Sequence, residues 1–269
     1  MLNMYGMPMG EFQRYKLIMQ PDEADVRARL AQKGDDPDLW YELGMALANQ
    51  NRNEEAVEAF SAGIRFAPFD PYLHFARGRK LAASGKLWPA VAELTLANCI
   101  DKSDWVFMYY RATTFNLFGH YEESCRDFKA CLDMVPAEES YPMIHWLYTT
   151  YLLELKDPAR ARAAIGLIKY TEDYPQMDYG YHRCYQLYAG LVDPQHFVDM
   201  DEMREKCLKR PGRIELELNT MYYALFAYCV EAGDEEGADN ALRALLKIPV
   251  EGAFGYTKGL QFAKERGII

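Results

Sequence analysis

The sequence predicts an all-α solenoid of about six helix pairs, and three observations in its 269 residues carry that prediction. First, three segments superimpose when shifted by 34 residues. Ala56, Ala90 and Ser124 fall in register, as do Gly44, Gly78 and Ala112, then Phe60, Leu94 and Phe128, then Gly63, Ala97 and Cys131. A fixed period of this length marks stacked supersecondary units. Second, apolar and small residues within each segment recur at i, i+3, i+4 and i+7, one stripe of a helix. Third, the stripes are punctuated in register. Asn51, Gly85 and Gly119 fall between helices, where Gly or Asn can take positive φ, and Pro68 and Pro136 close the second helix.

Taken in order, residues 1–20 form an N-terminal tail. Its first ten residues hold four methionines, two glycines and a proline without helical spacing, a frayed end rather than an adhesive docking segment. Residues 21–36 form a capping helix, introduced by Pro21 and Asp22, running through Leu30 to Lys33 and closed by Gly34. Residues 37–138 hold three regular units. In the first, Trp40, Leu43, Gly44 and Leu47 make the first stripe, and Ala56, Phe60, Gly63 and Phe66 the second. Gly44 and Ala56 are small because the antiparallel helices approach there, and a larger side chain would overpack the seam by about 1–3 kcal/mol. The second unit starts at Pro71, with Gly78, Leu81, Ala90, Leu94, Ala97 and Ile100. The third starts at Trp105, with Ala112, Phe115, Tyr121, Phe128, Cys131 and Met134.

Residues 139–250 carry looser units. A spacer of about three residues restores register at Pro142, with Tyr148, Thr149 and Leu152, a turn at Lys156-Asp157, then Ala161, Ile165 and Ile168. From Asp178 to about Pro211 a helical half (Tyr181, Cys184, Tyr185, Tyr188) meets a turn at Val192-Asp193-Pro194, and the half ending at Lys209 is the most divergent. A last good unit places Tyr222, Leu225, Phe226 and Cys229 before Gly233-Asp234, then Ala238, Leu242, Leu245 and Pro249. Residues 251–269 supply a C-terminal capping helix, with Phe254, Tyr256, Leu260 and Phe262 to cover the last pair.

The run Trp40-x2-Leu43-Gly44-x2-Leu47, Ala56-x3-Phe60 and Pro68 resembles the tetratricopeptide-repeat family. The resemblance covers about residues 37–250, strictly in the first half and loosely in the second. It implies a right-handed superhelix whose first helices line a concave wall. Carried over position by position, that wall is Tyr41, Met45 and Asn49; Tyr72, Phe75 and Arg79; Tyr109, Thr113 and Asn116; Met143, Trp146 and Thr150; His182 and Gln186; and Tyr223. Aromatic groups that bury area at low entropic cost and hydrogen bond at their tips suit an extended or helical peptide. The competing expectation is that these aromatics pack against neighbouring repeats. Part of the family grips a chaperone's C-terminal carboxylate with Lys, Asn and Arg, but Tyr41, Met45 and Phe75 occupy corresponding places, and Arg79 alone is suited to an acidic group or an ion pair. The later units also resemble envelope lipoproteins that act as adaptors for cell-wall enzymes. Those carry a lipid-attachment cysteine near the N-terminus, whereas the first cysteine here is Cys99.

The net charge of −10 argues against a nucleic-acid partner, because phosphate binding needs a concentrated basic face. Six cysteines without a CxxC pair read as reduced cytoplasmic thiols. No stretch reads as an export signal or a membrane span. No phosphate loop, HExxH, zinc spacing or GxSxG appears, so neither cofactor nor metal is expected. Among scattered residues, His182-Arg183-Cys184-Tyr185 is the strongest catalytic candidate. Adjacent helical residues diverge by about 100°, however, and Cys184 falls on the buried stripe. The expected function is therefore a non-catalytic protein- or peptide-binding adaptor. A ligand- or peptide-sensing regulatory solenoid is the alternative, and an enzyme with a site in the divergent fifth unit a weaker one. A homodimer through exposed terminal helices is compatible with this architecture.

Overall fold

An aspartate stands one residue before the first helix of each regular unit, and it starts that helix. In the computed structural model, the carboxylates of Asp36, Asp70 and Asp104 accept from the backbone N–H of Asp38 (3.0 Å), Tyr72 (2.8 Å) and Val106 (3.1 Å). Each satisfies a donor that the helix itself leaves open. Proline follows at Pro37 and Pro71, where its fixed φ suits the first turn.

The structure describes residues 20–174, 179–207, 213–250 and 253–269. The tail through residue 19, Asp178 and the stretch from Lys209 to Pro211 lie outside the described residues. Described helices are α1 (Glu23–Gln32), α2 (Pro37–Asn49), α3 (Asn53–Phe66), α4 (Pro71–Ala83), α5 (Leu87–Ile100), α6 (Trp105–Leu117), α7 (Tyr121–Leu132), α8 (Tyr141–Thr149), α9 (Pro158–Ile165), α10 (Tyr179–Tyr188), α11 (Met200–Lys206), α12 (Arg213–Ala232), α13 (Glu235–Leu246) and α14 (Phe254–Glu265). No strand occurs among the described residues. None of their helices is long and apolar enough to cross a membrane. All six cysteines are free thiols, Cys99 exposed and the others buried. The chain divides into two compact units, the first ending at Asp127 and the second beginning at Phe128, with the division inside α7.

In the first unit, α2 pairs with α3 and α4 with α5, while α1 packs on α2. The small positions do what close approach requires. A Cβ on Gly44 would lie 2.3 Å from the Phe60 ring, and one on Gly78 2.9 Å from Leu94. The turns are left-handed at Asn51 (φ 59°), Gly85 (φ 74°) and Gly119 (φ 81°).

A second 34-residue register is polar. Arg77 donates to Ser61 (3.1 Å) and Glu93 (2.5 Å), and Arg111 repeats this with Thr95 (3.1 Å) and Asp127 (2.7 Å). Each arginine thus ties the second helix of one pair to the second helix of the next. Glu93 also meets His74 at 2.7 Å.

In the second unit α8 is buried along its whole length and is surrounded by α9, α10 and α12. It runs into a π-helical turn, Thr150–Glu154, closed by Leu155 N–H to Thr150 O at 3.0 Å. Left-handed residues follow at Lys156 (φ 54°), Gly190 (φ 69°) and Gly233 (φ 73°). Gly190 lies 34 residues after Lys156 and two before the turn expected at Val192, which instead leads into a 3-10 turn, Pro194–His196. The twenty-residue α12 packs on α10, α13 and α14. Lys258 of α14 pairs with Glu154 of the π turn, the two side chains only 2% and 8% exposed.

Candidate functional site

On α4, Phe75 and Arg79 share one face with Ala76 and Lys80, as i,i+4 pairs must. They face Tyr41, Met45, Ala48 and Asn49 of α2 across a cleft of about 190 Å³, with Phe60 of α3 also lining it. The cleft brings together Tyr41, Met45, Asn49, Phe75 and Arg79, five residues placed on the concave wall by sequence position. Their roles within it differ. Tyr41 and Phe75 are each 1% exposed and form its floor, whereas Met45 and Arg79 are half-buried and Asn49 is exposed. The Arg79 guanidinium lies over the Tyr110 ring at 4.5 Å and near Phe75 at 5.5 Å.

The other wall residues of the first unit are buried. Tyr72 is buried and donates its hydroxyl to Asp104 at 3.1 Å, bracing the cap of α6. Tyr109 packs edge-on against Trp105 and Tyr110. Thr113 is buried with its hydroxyl on Tyr110 O (3.0 Å), and Asn116 is buried.

In the second unit the corresponding residues are buried except for Gln186. Met143 and Thr150 lie inside α8 and the π turn. Trp146 stacks on Phe128 and meets Tyr223 and Phe254. Tyr223 continues that cluster to Phe226 and Phe262. His182 is stacked between Tyr170 and Tyr174, its ring nitrogen 3.2 Å from Thr171 O, and burial lowers its pKa. Half-buried Gln186 donates to Tyr170 at 3.0 Å. Cys184 is fully buried, its thiol 3.8 Å from Thr220 O, and burial raises its pKa well above the ordinary value. A thiol held protonated is a poor nucleophile.

Lys80 lines the cleft but stands outside the wall positions taken from the repeat. Burial, with Arg79 beside it, pushes its ammonium down to about 8. The signal for it was the i,i+4 relation to Ala76, a small residue that leaves the lysine room on the same face. Among the described residues no cluster of three or more His, Cys, Asp or Glu is placed to hold a metal.

His145 contributes to the pH response of the second unit. It is 1% exposed, pairs with the Tyr188 hydroxyl at 2.9 Å, and is pushed by burial from 6.5 to about 3. The unfolded chain takes up a proton near 6.5 and the native chain does not. This contribution is therefore complete above 6.5 and drains as pH falls, by about 1.4 kcal/mol per unit. Between pH 7 and pH 5 the native protein is expected to lose about 2 kcal/mol more than His145→Gln, read from urea midpoints. Equal losses would mean that His145 charges inside the folded unit. His74 acts in the opposite sense, since Glu93 raises its pKa and its contribution fades as pH rises. The paired comparison cancels that term.

The profile described as Tetratricopeptide repeat matches residues 37–70, the stretch holding α2 and α3. A tetratricopeptide repeat protein from Parabacteroides merdae ATCC 43184 superimposes at a TM-score of 0.56 and 10% identity, covering 90% of this chain and 91% of that one. Residues 37–70 match a tetratricopeptide repeat, and the chain has the all-α fold of a tetratricopeptide-repeat protein. At that identity the Parabacteroides likeness concerns the fold alone. The chain is also 48% identical over 42 residues to the peroxisomal targeting signal receptor of Eremothecium gossypii, a match spanning 16% of this chain and 7% of the receptor.

Proposed function

We propose that this chain is a non-catalytic adaptor that binds a protein or peptide, and that the cleft between α2 and α4 receives the partner. The observation that carries this is the convergence of Tyr41, Met45, Asn49, Phe75 and Arg79 on one cleft, with a rigid aromatic floor and a mixed apolar and polar rim. Such a surface gains contact area without ordering flexible side chains. The short match to a targeting signal receptor supports recognition rather than chemistry. So does Cys184, a buried thiol kept protonated. The unpaired thiols support a reducing, cytoplasmic setting. Three regular units over 37–138 then serve as the recognition half, and the degenerate units over 139–250 vary on the same plan.

Because the floor is buried, the rim is the place to test. Affinity capture from the native host is expected to recover partners with the wild-type chain and to lose them at least tenfold with Met45→Glu/Asn49→Ala. The thermal midpoint should stay within a few degrees. Recovery of the same partners by both proteins would place recognition elsewhere.

A further inference from the structure

The second helices of the regular units differ most on their outer faces. One 34-residue step to either side of α5 the outward positions are charged, with Glu54, Glu58 and Arg65 on α3 and Glu122 and Arg126 on α7. At the same places α5 carries Trp88, Ala92 and Cys99, with Leu96 between the last two. These four lie at i, i+4, i+8 and i+11, one side of a helix, and all are exposed. Ala90, Leu94 and Ala97 on the other side are buried. The one charge on α5, Glu93, is held by His74 and Arg77. A helix apolar on both sides is ordinarily covered on both, and α5 is covered on one.

The uncovered surface is large enough for a partner. Phe66, one register step before Ile100 of α5, and Phe69 just beyond it are exposed as well. With aromatic side chains at roughly 150–250 Å² each, Trp88 at 61%, Phe66 at 48% and Phe69 at 81% exposed leave on the order of 400 Å² of apolar surface in water. That is close to the apolar share of the ~800 Å² that each partner gives a standard interface.

Two patterns choose the occupant. Ala92 is small and stands midway between two large residues, Trp88 four before it and Leu96 four after. A second α5 laid antiparallel across it sets each Trp88 against the other's Leu96. Arg77 holds α3 beside α5, and the outer row of α3 begins acidic at Glu54 and ends basic at Arg65. The same antiparallel turn sets each end of that row against its opposite. Both patterns are their own complement, which is what a two-fold contact demands. We propose that the outer face of α5 is a homodimer interface, in which two copies cross antiparallel at Ala92 with Trp88 as the anchor. None of its residues lines the cleft between α2 and α4, so each copy keeps its own.

Sedimentation equilibrium of the full chain, from micromolar to a few hundred micromolar, is expected to show a reversible monomer–dimer equilibrium. Trp88→Glu and Leu96→Glu should each weaken it at least tenfold. Helical circular dichroism should be kept, since both side chains are exposed in the single chain. Glu58, one register step before Ala92, is the α3 residue that the two-fold sets against its own copy, so Glu58→Gln is expected to tighten the dimer. In a Cys99→Ser background, Ala92→Cys is expected to give a disulfide-linked dimer on oxidation with copper phenanthroline. Leu96→Cys is not, because in this arrangement residue 92 meets itself and residue 96 does not.

A chain that stays monomeric throughout would overturn the proposal, and binding of phosphatidylcholine vesicles or of another protein would then give the face a different occupant. So would a dimer indifferent to Trp88→Glu and Leu96→Glu, one loosened by Glu58→Gln, or one that links through Leu96→Cys and not through Ala92→Cys. Should either glutamate variant fail to fold, the two cysteine variants decide the matter alone.

Discussion

Replacing Phe75 by alanine is expected to lower stability by about 4 kcal/mol, as fully buried Phe→Ala changes do. The ring is 1% exposed and packs against Phe107 at 5.1 Å and Tyr110 at 5.2 Å. Truncation removes transfer free energy, opens a cavity beneath the cleft and breaks two aromatic pairs. Phe75→Leu, which keeps most of the volume, should cost well under half as much. Urea midpoints at constant slope would measure both. A Phe75→Ala loss below about 1 kcal/mol would show that the ring faces a ligand rather than the core. The consequence for function is direct. Binding lost in this variant reports a damaged unit, so recognition has to be tested at Met45, Asn49 and Lys80.

The second large effect concerns the ion pair between Lys258 and Glu154, whose side chains are almost completely covered. Lys258→Met is expected to cost about 3–5 kcal/mol, because it strands a carboxylate in a dry site. Adding Glu154→Leu should restore at least half of that loss, since an apolar pair of similar volume avoids desolvation altogether. Urea rather than guanidinium chloride is the denaturant of choice, as it does not screen charge. A single-variant loss under about 1 kcal/mol would show that water reaches Glu154. The pair links the π turn to α14, so amide exchange in residues 150–154 should speed up in the single variant and recover in the double one.

Much of the fold was legible because its constraints are local and repeat. Gly44 had to be small, and a Cβ there would meet Phe60 at 2.3 Å. Asn51, Gly85 and Gly119 were marked as turns and carry positive φ. The π turn had no such signal, since one extra residue in a buried helix leaves the apolar pattern continuous through Leu152 and Leu153. The turn after α10 was placed late because Asp193-Pro194 is a stronger local mark than Gly190, although the 34-residue step from Lys156 pointed to the glycine.

For the candidate site, position within the repeat points to five residues that line one cleft but does not assign their depth. Tyr72 and Phe75 are buried, packing against α6 and its cap, as the hydroxyl bond from Tyr72 to Asp104 and the ring contacts of Phe75 with Phe107 and Tyr110 show. Depth depends on neighbours one repeat away. The arginine bridges were readable in principle, as Ser61 and Thr95, Arg77 and Arg111, and Glu93 and Asp127 stand in step. Apolar periodicity carries no trace of them, because they lie on polar positions of the same helices.

Those bridges make the regular half modular in length. Excising residues 86–119 would join Gly85 to His120, with the left-handed residue still in place. Asp127 would then fall where Glu93 had been, offering Arg77 a new carboxylate, and Phe128 would succeed Leu94 against Gly78. Each joint is thus interchangeable with the next, and a chain built this way can gain or lose a whole helix pair without redesigning the seam that closes behind it.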